Sequence, residues 1–472
     1  MAAHTAANIS SILSDQTWSS NTVLSIPGST QFSNATSRWN VYRAPTYAAA
    51  LSIGSEDDLV TAVKLATANN IPFLATGGRN GYGSTLANLQ QGLALDLSPL
   101  DSLSIDAAEG ILTVGPGVLI GDVYDPVYNA GYQFPTGVCS CAGLIGITLG
   151  AGIGRLQGTY GLTLDALQSA RVVTASGEVL EASASSNPDL FWAIRGTGQN
   201  FGIVTSATYK LHPLTQTFTS VDLVFPGHLN DSFFNVLATF DLSAKWAIVA
   251  QIFYDANVGE TAIRASCVYH GPRDEALPLL EPILSLGPVY TDITELPWNR
   301  LNAVAGFSGD AATCEPGSIH NIYGVNLRKR SASTWTSVFE MMSMLYQSTP
   351  GARTSILTFE AWGNQAVAAV PDEETAYPWR DAEVYVMGDF TWTPGDDSAR
   401  EQSISAGIKV RETLAATSGY DGLAVYVNYA RGDESLVQRY GETKLPKLVE
   451  LKRKYDPHNV FRFHHPLPME YP

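Results

Sequence analysis

Apolar residues first recur at helical spacing after Ser55, where Leu59, Val63 and Ala66 follow a serine with an acid, Asp58, three positions on. That pairing is a capping box and predicts a helix start at Ser55, with Asn69-Asn70 closing the helix. The run Ile71–Ala75 predicts a short buried strand that empties into a glycine-rich loop; Leu93–Leu97 and Ile111–Val114 read as further strands. Ile120–Asn129 is predicted helical and stops at Gly131. Between Gly137 and Gly161 glycine is too frequent for a regular helix to persist without cost. Ala170–Ala175 and Glu178–Glu181 flank Ser176-Gly177 and predict a hairpin. Asn187-Pro188-Asp189 starts a short helix through Ile194, with proline at the first helical position. Ile203, Thr205, Ala207, Tyr209 and Leu211 alternate onto one face of a strand that His212-Pro213 ends.

The pattern shifts there, which puts a domain boundary near 214. From 215 to 420 strands such as Trp246–Phe253 and Ala265–Tyr269 mix with helices such as Ser333–Tyr346 and Ser398–Thr417. This α+β pattern predicts an antiparallel sheet backed by helices. The last segment reads as a strand, Gly422–Tyr429, and a basic amphipathic helix, Gly441–Tyr455, stopped by Asp456-Pro457. A chain of 472 residues is too long for one ordinary core, in keeping with two domains.

Composition narrows the partners. With 28 basic against 45 acidic residues the net charge is −17, and no dense Lys/Arg cluster offsets it, so no nucleic-acid partner is expected. No stretch approaches the roughly 18 apolar residues of a membrane span. The four cysteines, Cys139, Cys141, Cys267 and Cys314, are too few for a disulfide scaffold, and C-x-C suits neither zinc nor a thioredoxin-type motif, so no metal site is expected. Cys267 and Cys314 are a candidate bridge in the second domain. The opening MAAHTAANISSILS lacks the basic and apolar regions of a signal peptide. Sequons at Asn8, Asn34 and Asn230 leave secretion open, since chance alone supplies a few.

Two segments carry candidate chemistry. The loop Thr76-Gly77-Gly78-Arg79-Asn80-Gly81-Tyr82-Gly83-Ser84-Thr85 follows a strand and holds four glycines. Such backbone turns several N–H groups toward one anion, and a diphosphate suits it, although a plain surface turn has the same composition. Its spacing fits neither a P-loop nor a Rossmann fingerprint. Pro135–Gly154 contains six glycines and no charged residue before its end, as backbone lying flat against a large, partly apolar group requires. Cys139 within it reads either as a site residue or as a small buried hydrophobe.

With these loops, Asn187–Leu211 (NPDLFWAIRGTGQNFGIVTSATYKL) and the C-terminal Tyr426-Val427-Asn428-Tyr429 and Lys454–Phe461, the chain resembles the berberine-bridge-enzyme-like branch of the vanillyl-alcohol-oxidase/p-cresol-methylhydroxylase (PCMH) flavoproteins. The resemblance runs nearly full length. It implies a two-domain PCMH-type fold, with an FAD-binding domain over 1–214, a substrate domain over 215–420, and 421–472 returning to the first. It implies FAD, with its diphosphate on the loop Thr76, Gly77, Gly78, Arg79, Asn80 and Gly81. Gly137, Gly143, Gly146 and Ile147 line the path to the flavin, Ile203 and Val204 the adenosine end, and Asn459 joins from the C-terminal motif. Relatives often hold the flavin by a histidine and a cysteine. Cys139 sits four residues before Gly143, as that cysteine should, but the histidine position reads Asn80, and an amide nitrogen is not a usable nucleophile. The resemblance therefore implies a single thioether at Cys139, or FAD held without a covalent bond.

The activity it implies is that of an FAD-linked oxidoreductase, an oxidase using O₂ on a small secondary metabolite. A weaker flavin oxidant, for want of the histidyl link, favours the alternative of a redox-neutral isomerase or cyclase. Tyr429 matches a tyrosine that serves some relatives as base, and Asn428 beside it would orient flavin or substrate. A phenol of ordinary pKa near ~10 needs a partner to act as base, and Arg431 or Lys444 is the expected one; Tyr429 as mere packing is the alternative. Substrate-side candidates are Glu360, Trp362, Asn364, Tyr377, Trp379, Arg380, Tyr385 and Trp392, all equally suited to an ordinary core. His270 and His320 read as structural, and His464-His465 as a solvated tail.

Overall fold

The computed structural model describes residues 6–215 and 217–471; the signal-peptide reading over Met1–Thr5 lies outside them. Strands β1 (Val23–Ser25), β2 (Tyr47–Ser52), β3 (Phe73–Thr76) and β4 (Gly92–Asp96) form a sheet in the order β1-β2-β4-β3. β2 and β3 both run parallel to β4, and the helix Glu56–Ala68 supplies the crossover that parallel strands need. Ser55 caps that helix by accepting from Asp58 N. The Asp58 carboxylate is instead buried against the hydroxyls of Ser19 and Thr22, which donate to it.

Next come β5 (Leu103–Asp106), β6 (Ile111–Val114), β7 (Tyr132–Gln133), β8 (Leu167–Val173), β9 (Val179–Ser183), β10 (Ile203–Lys210) and β11 (His212–Pro213). Five of them make an antiparallel sheet ordered β5-β6-β10-β8-β9, and β7 pairs with β11. The glycine-dense stretch keeps only single helical turns, Leu144–Thr148 and Gln157–Tyr160. Ile203 packs into the core of the four-stranded sheet and Val204 into the larger core, so β10 begins at the seam between them.

The third sheet is wholly antiparallel: β12 (Phe218–Pro226), β13 (Trp246–Asp255), β14 (Glu260–Tyr269), β15 (Tyr290–Leu296), β16 (Asn321–Leu327), β17 (Ile356–Trp362) and β18 (Val384–Phe390), ordered β15-β12-β14-β13-β17-β18-β16. Alternation decides its faces. Ile248, Phe359, Val386 and Val325 pack with Phe234, Trp335 and Met342 of the helices Asn230–Thr239 and Ala332–Ser348. The other face carries a row in register across six strands that is polar at every position but Val249: Asp222, Ser266, Val249, Glu360, Tyr385 and Asn326. Burying polar groups is tolerated only where partners exist, so this face must meet something that supplies them.

Three expectations are corrected. Gly422–Tyr429 is not a strand. Tyr426 N donates to the Asn326 side chain and Val425 N to Gln438 O, which leaves no ladder to join, and Val427–Tyr429 closes into a 3₁₀ turn. The disulfide joins Cys141 to Cys314, not Cys267 to Cys314. Cys267 points to the helix-covered face and is sealed in that core, whereas Cys314 sits on a loop that reaches residues 137–143. His464-His465 is no solvated tail: His465 is buried, and its carbonyl accepts from Tyr440 Oη (2.5 Å) and Asn200 Nδ2 (3.3 Å).

Candidate active site

The two glycine loops meet backbone to backbone. A Cβ on Gly78 would lie 2.5 Å from Gly143 N, and one on Gly77 2.1 Å from Pro116 O, so only glycine permits the approach. Thr76 ends β3 beside Asp96 and its carbonyl accepts from Leu97 N at 2.9 Å. Arg79, at positive φ, sends its guanidinium away from the loop mouth, to Asp96 Oδ1 (2.6 Å) and Ser37 O (3.0 Å). Its charge is thus spent on holding the loop's shape. Gly146 faces open space.

Asn80 lies over Cys141. With its amide turned as the surrounding acceptors require, Nδ2 donates to Gly78 O (2.5 Å) and Cys141 O (3.1 Å). Cys139 keeps a free thiol, which burial pushes up.

Asn428 fastens the 3₁₀ turn to the second glycine loop. Its Nδ2 donates to Ile147 O (3.0 Å) and Tyr426 Oη (2.7 Å), Gly152 N donates to the same hydroxyl (3.2 Å), and a Cβ on Gly150 would collide with Asn428 Oδ1. The turn then presents Tyr429, half-buried, whose Oη donates to Glu360 Oε2 at 2.9 Å. Glu360, 3% exposed, is pushed up to about 8 by burial, against the opposing pull of the Tyr429 hydrogen bond and of the Arg155 charge. Burial and the neighbouring carboxylate hold the Tyr429 phenol well above its ordinary value of 10. Neither cation expected beside Tyr429 is there. Arg431 is engaged by Asn321 (2.9 Å) and Asp433 (2.8 Å), and Lys444 by Thr375 O (3.0 Å) and Asp372 Oδ2 (2.9 Å).

Of the substrate-side candidates, Glu360 and Tyr385 lie in the polar row, and Tyr377 Oη donates to Tyr385 Oη at 3.4 Å. Arg380 pairs with Asp165 (2.8 Å), Asn364 donates to Ala382 O (3.2 Å), and Trp362 is packed in the core. Trp379 packs edge-on to Tyr420 and Trp392 to Tyr42. His270 is structural, stacked on Phe218. His320 is more: its Nδ1 meets Asp389 Oδ2 at 2.6 Å and its ring stacks on Trp39 at 3.6 Å. Tyr82, a loop residue whose place in the sequence carries no chemical signal, also sits against Trp39, with a buried hydroxyl that has no partner among the described residues. Alternation along Ile356–Trp362, which sets Thr358 and Glu360 opposite Leu357 and Phe359, is the trace by which Glu360 could have been singled out.

The residues present fit FAD. The loops admit no side chain where they touch, and the N–H groups of residues 77–81 donate to no protein acceptor among the described residues. Asn459 Oδ1, at positive φ in the C-terminal motif, is buried without a partner, as is Tyr82 Oη.

A family model described as an FAD binding domain matches residues 47–183, and one described as berberine and berberine like matches 425–468. The FAD-linked oxidoreductase OXR1 of Pyricularia oryzae is 48% identical, over 96% of this chain and 90% of that protein. BBE-like 1 of Physcomitrella patens has the same fold, with a TM-score of 0.86 at 22% identity over 98% of this chain and all (100%) of that one. Glucooligosaccharide oxidase of Acremonium strictum, a protein with 6-S-cysteinyl, 8α-N1-histidyl FAD, superposes with a TM-score of 0.84 at 21% identity, over 98% of this chain and 100% of that one. Among the described residues no helix is long and apolar enough to cross a membrane. The chain belongs to the berberine-bridge-enzyme-like FAD-linked oxidoreductases and is an oxidoreductase enzyme with FAD as its cofactor.

Proposed function

We propose that the protein is an oxidase of a small organic metabolite, and that Tyr429 and Glu360 together take the proton as the substrate is oxidised. The carrying observation is the 2.9 Å bond from Tyr429 Oη to a carboxylate buried on the polar face of the sheet. Bound FAD supplies the two-electron acceptor and, with dioxygen as final oxidant, yields hydrogen peroxide. Tyr429 receives the proton on its oxygen and passes its own to Glu360 Oε2, so the phenol need never stand as a free phenolate. Asn428 holds the turn at a fixed height above the loop 147–152. Arg155, the cation whose charge reaches Glu360, favours the ionised carboxylate that this transfer requires.

The remaining roles belong to the same reading. The unengaged N–H groups at 77–81 hold the diphosphate, with Thr76 ending the strand that aims them. Gly137, Gly143, Gly146 and Ile147 follow the ribityl chain, Ile203 and Val204 the adenosine, and Asn459 accepts a hydrogen bond. Cys139, the free sulfur beside the cradle, forms the single thioether. The FAD-binding unit comprises 1–214 with the returning 421–472, and 215–420 covers the substrate.

Asn80 favours a second reading. Its amide is spent on two backbone carbonyls, so the flavin lacks a histidyl bond and is a milder oxidant, which suits a redox-neutral isomerase or cyclase. Anaerobic mixing with a panel of candidate metabolites separates the two. Bleaching of the flavin, with peroxide formed once air is admitted, supports the oxidase. A product of unchanged mass without peroxide replaces it with the isomerase.

A further inference from the structure

Cys139, Cys141 and Cys314 form one sulfur cluster. Cys141 and Cys314 are bonded, Cys139 Sγ lies 3.3 Å from Cys141 Sγ, and all three sulfurs fall within 4.8 Å of one another. The bond also has a mechanical role. Cys314 belongs to the segment 305–318, a strap whose start is pinned by Asp222, which accepts from Phe307 N at 2.6 Å. The strap reaches the second glycine loop through Asp310 Oδ1, which accepts from Ser140 N (2.9 Å), and the N-terminal segment through Thr313 O, which accepts from Trp39 Nε1 (2.8 Å). The disulfide is its only covalent tie to residues 137–143 among the described residues.

We propose that Cys139 and the Cys141–Cys314 bond are a thiol–disulfide exchange set, and that bonding of Cys139 to the flavin locks the strap by removing the attacking sulfur. In the exchange Cys139 Sγ bonds to Cys141 Sγ, the Cys141–Cys314 bond breaks, and its electron pair leaves on Cys314, which takes the proton that Cys139 gave up. No oxidant or reductant is consumed. The 3.3 Å contact brings Cys139 against Cys141, but with all three sulfurs within 4.8 Å of one another Cys139 lies beside the S–S bond and must swing onto its axis before it attacks. The product links Cys139 to Cys141 and frees Cys314, so the strap loses its covalent tie and keeps its hydrogen bonds. Burial keeps the Cys139 thiol protonated at neutral pH, so exchange is slow there and quickens as pH rises. The exchange rests on the sulfur positions alone; the lock rests on the Cys139 thioether proposed above.

The full chain, prepared from riboflavin-replete and riboflavin-limited cells, is held at about pH 8.5 with N-ethylmaleimide and no reductant, then mapped by mass. Only chains with unlabelled Cys267 are scored, because that thiol is sealed in the core and reports folding. Flavin-free chains are expected to carry label on Cys314 beside a Cys139–Cys141 link, at least about tenfold above flavin-bearing chains. Label on Cys139 with Cys141–Cys314 intact overturns the exchange. Exchange in chains whose flavin is wholly released by acid leaves it standing and overturns only the lock.

Discussion

Tyr429 Oη donates to Glu360 Oε2 at 2.9 Å, joining a 3₁₀ turn near the C-terminus to β17 of the large sheet, 69 residues earlier. Each group sets the other's protonation. The carboxylate holds the phenol proton in place, and the phenol is a hydrogen bond that a buried carboxylate would otherwise lack. Tyr429→Phe should bind FAD with an unchanged spectrum and lose about 10²-fold or more in kcat, the usual worth of a positioned acid–base group. Steady-state rates on the oxidised substrate check this, and a kcat within a few-fold of the wild type would remove Tyr429 from the chemistry.

The same pair has a stability signature. The Glu360 carboxyl titrates at about 8 in the folded chain against an ordinary 4.5. Between those values the folded chain keeps a proton that the unfolded chain has released, so stability falls as pH rises from 4.5 through about 8. Glu360→Gln carries no such cost and should gain stability above pH 8, by on the order of a few kcal/mol. Thermal unfolding of both proteins at pH 6 and 9 measures it, and a gain equal at the two pH values would contradict the assignment.

Buried histidines act in the opposite direction. Burial lowers His270 to about 4 and holds His465 well below its ordinary 6.5, so both stay neutral in the fold. As pH falls below the ordinary 6.5 the unfolded chain takes up protons that these rings refuse, and stability declines toward pH 4. His270→Gln should flatten the acid limb of Tm against pH by one proton's worth. An unaltered limb would show that His270 titrates freely in the fold.

How much of this was legible depends on the distance between partners along the chain. The Ser55 cap, the hairpin at Ser176-Gly177 and the glycine loops are local, and their chemistry is written in adjacent letters. The mixture of strands and helices over 215–420 pointed to an antiparallel sheet backed by helices, but not to which residues face them. Cys141 and Cys314 are 173 residues apart, and nothing in C-x-C spacing points to a third cysteine on a distant strap. Tyr429 was visible as a candidate base, but its partner was sought among nearby cations, Arg431 and Lys444. Both are claimed by closer acids or carbonyls, and the partner comes from β17 across the seam. His464-His465 read as a tail because its burial depends on Tyr440 and Asn200, which only the fold brings to it.

The proposed covalent attachment of the flavin turns on a single sulfur, that of Cys139. Cys139→Ser should bind FAD yet release all of it into the supernatant on acid precipitation, while Asn80→Ala, which removes only an amide held by Gly78 O and Cys141 O, should leave attachment intact. Absorbance of pellet and supernatant reads the outcome. Yellow colour that stays with the Cys139→Ser pellet would place the bond elsewhere.

The proton-accepting role of Glu360 is tested most directly by the rate at which substrate bleaches the bound flavin without oxygen, for wild type and Glu360→Gln between pH 6 and 9. In the wild type the rate should climb about tenfold per pH unit and level off near 8, where the carboxyl ionises. In the glutamine variant it should be about 10²-fold lower and flat. A variant that bleaches as fast as the wild type, along the same pH profile, would contradict the account.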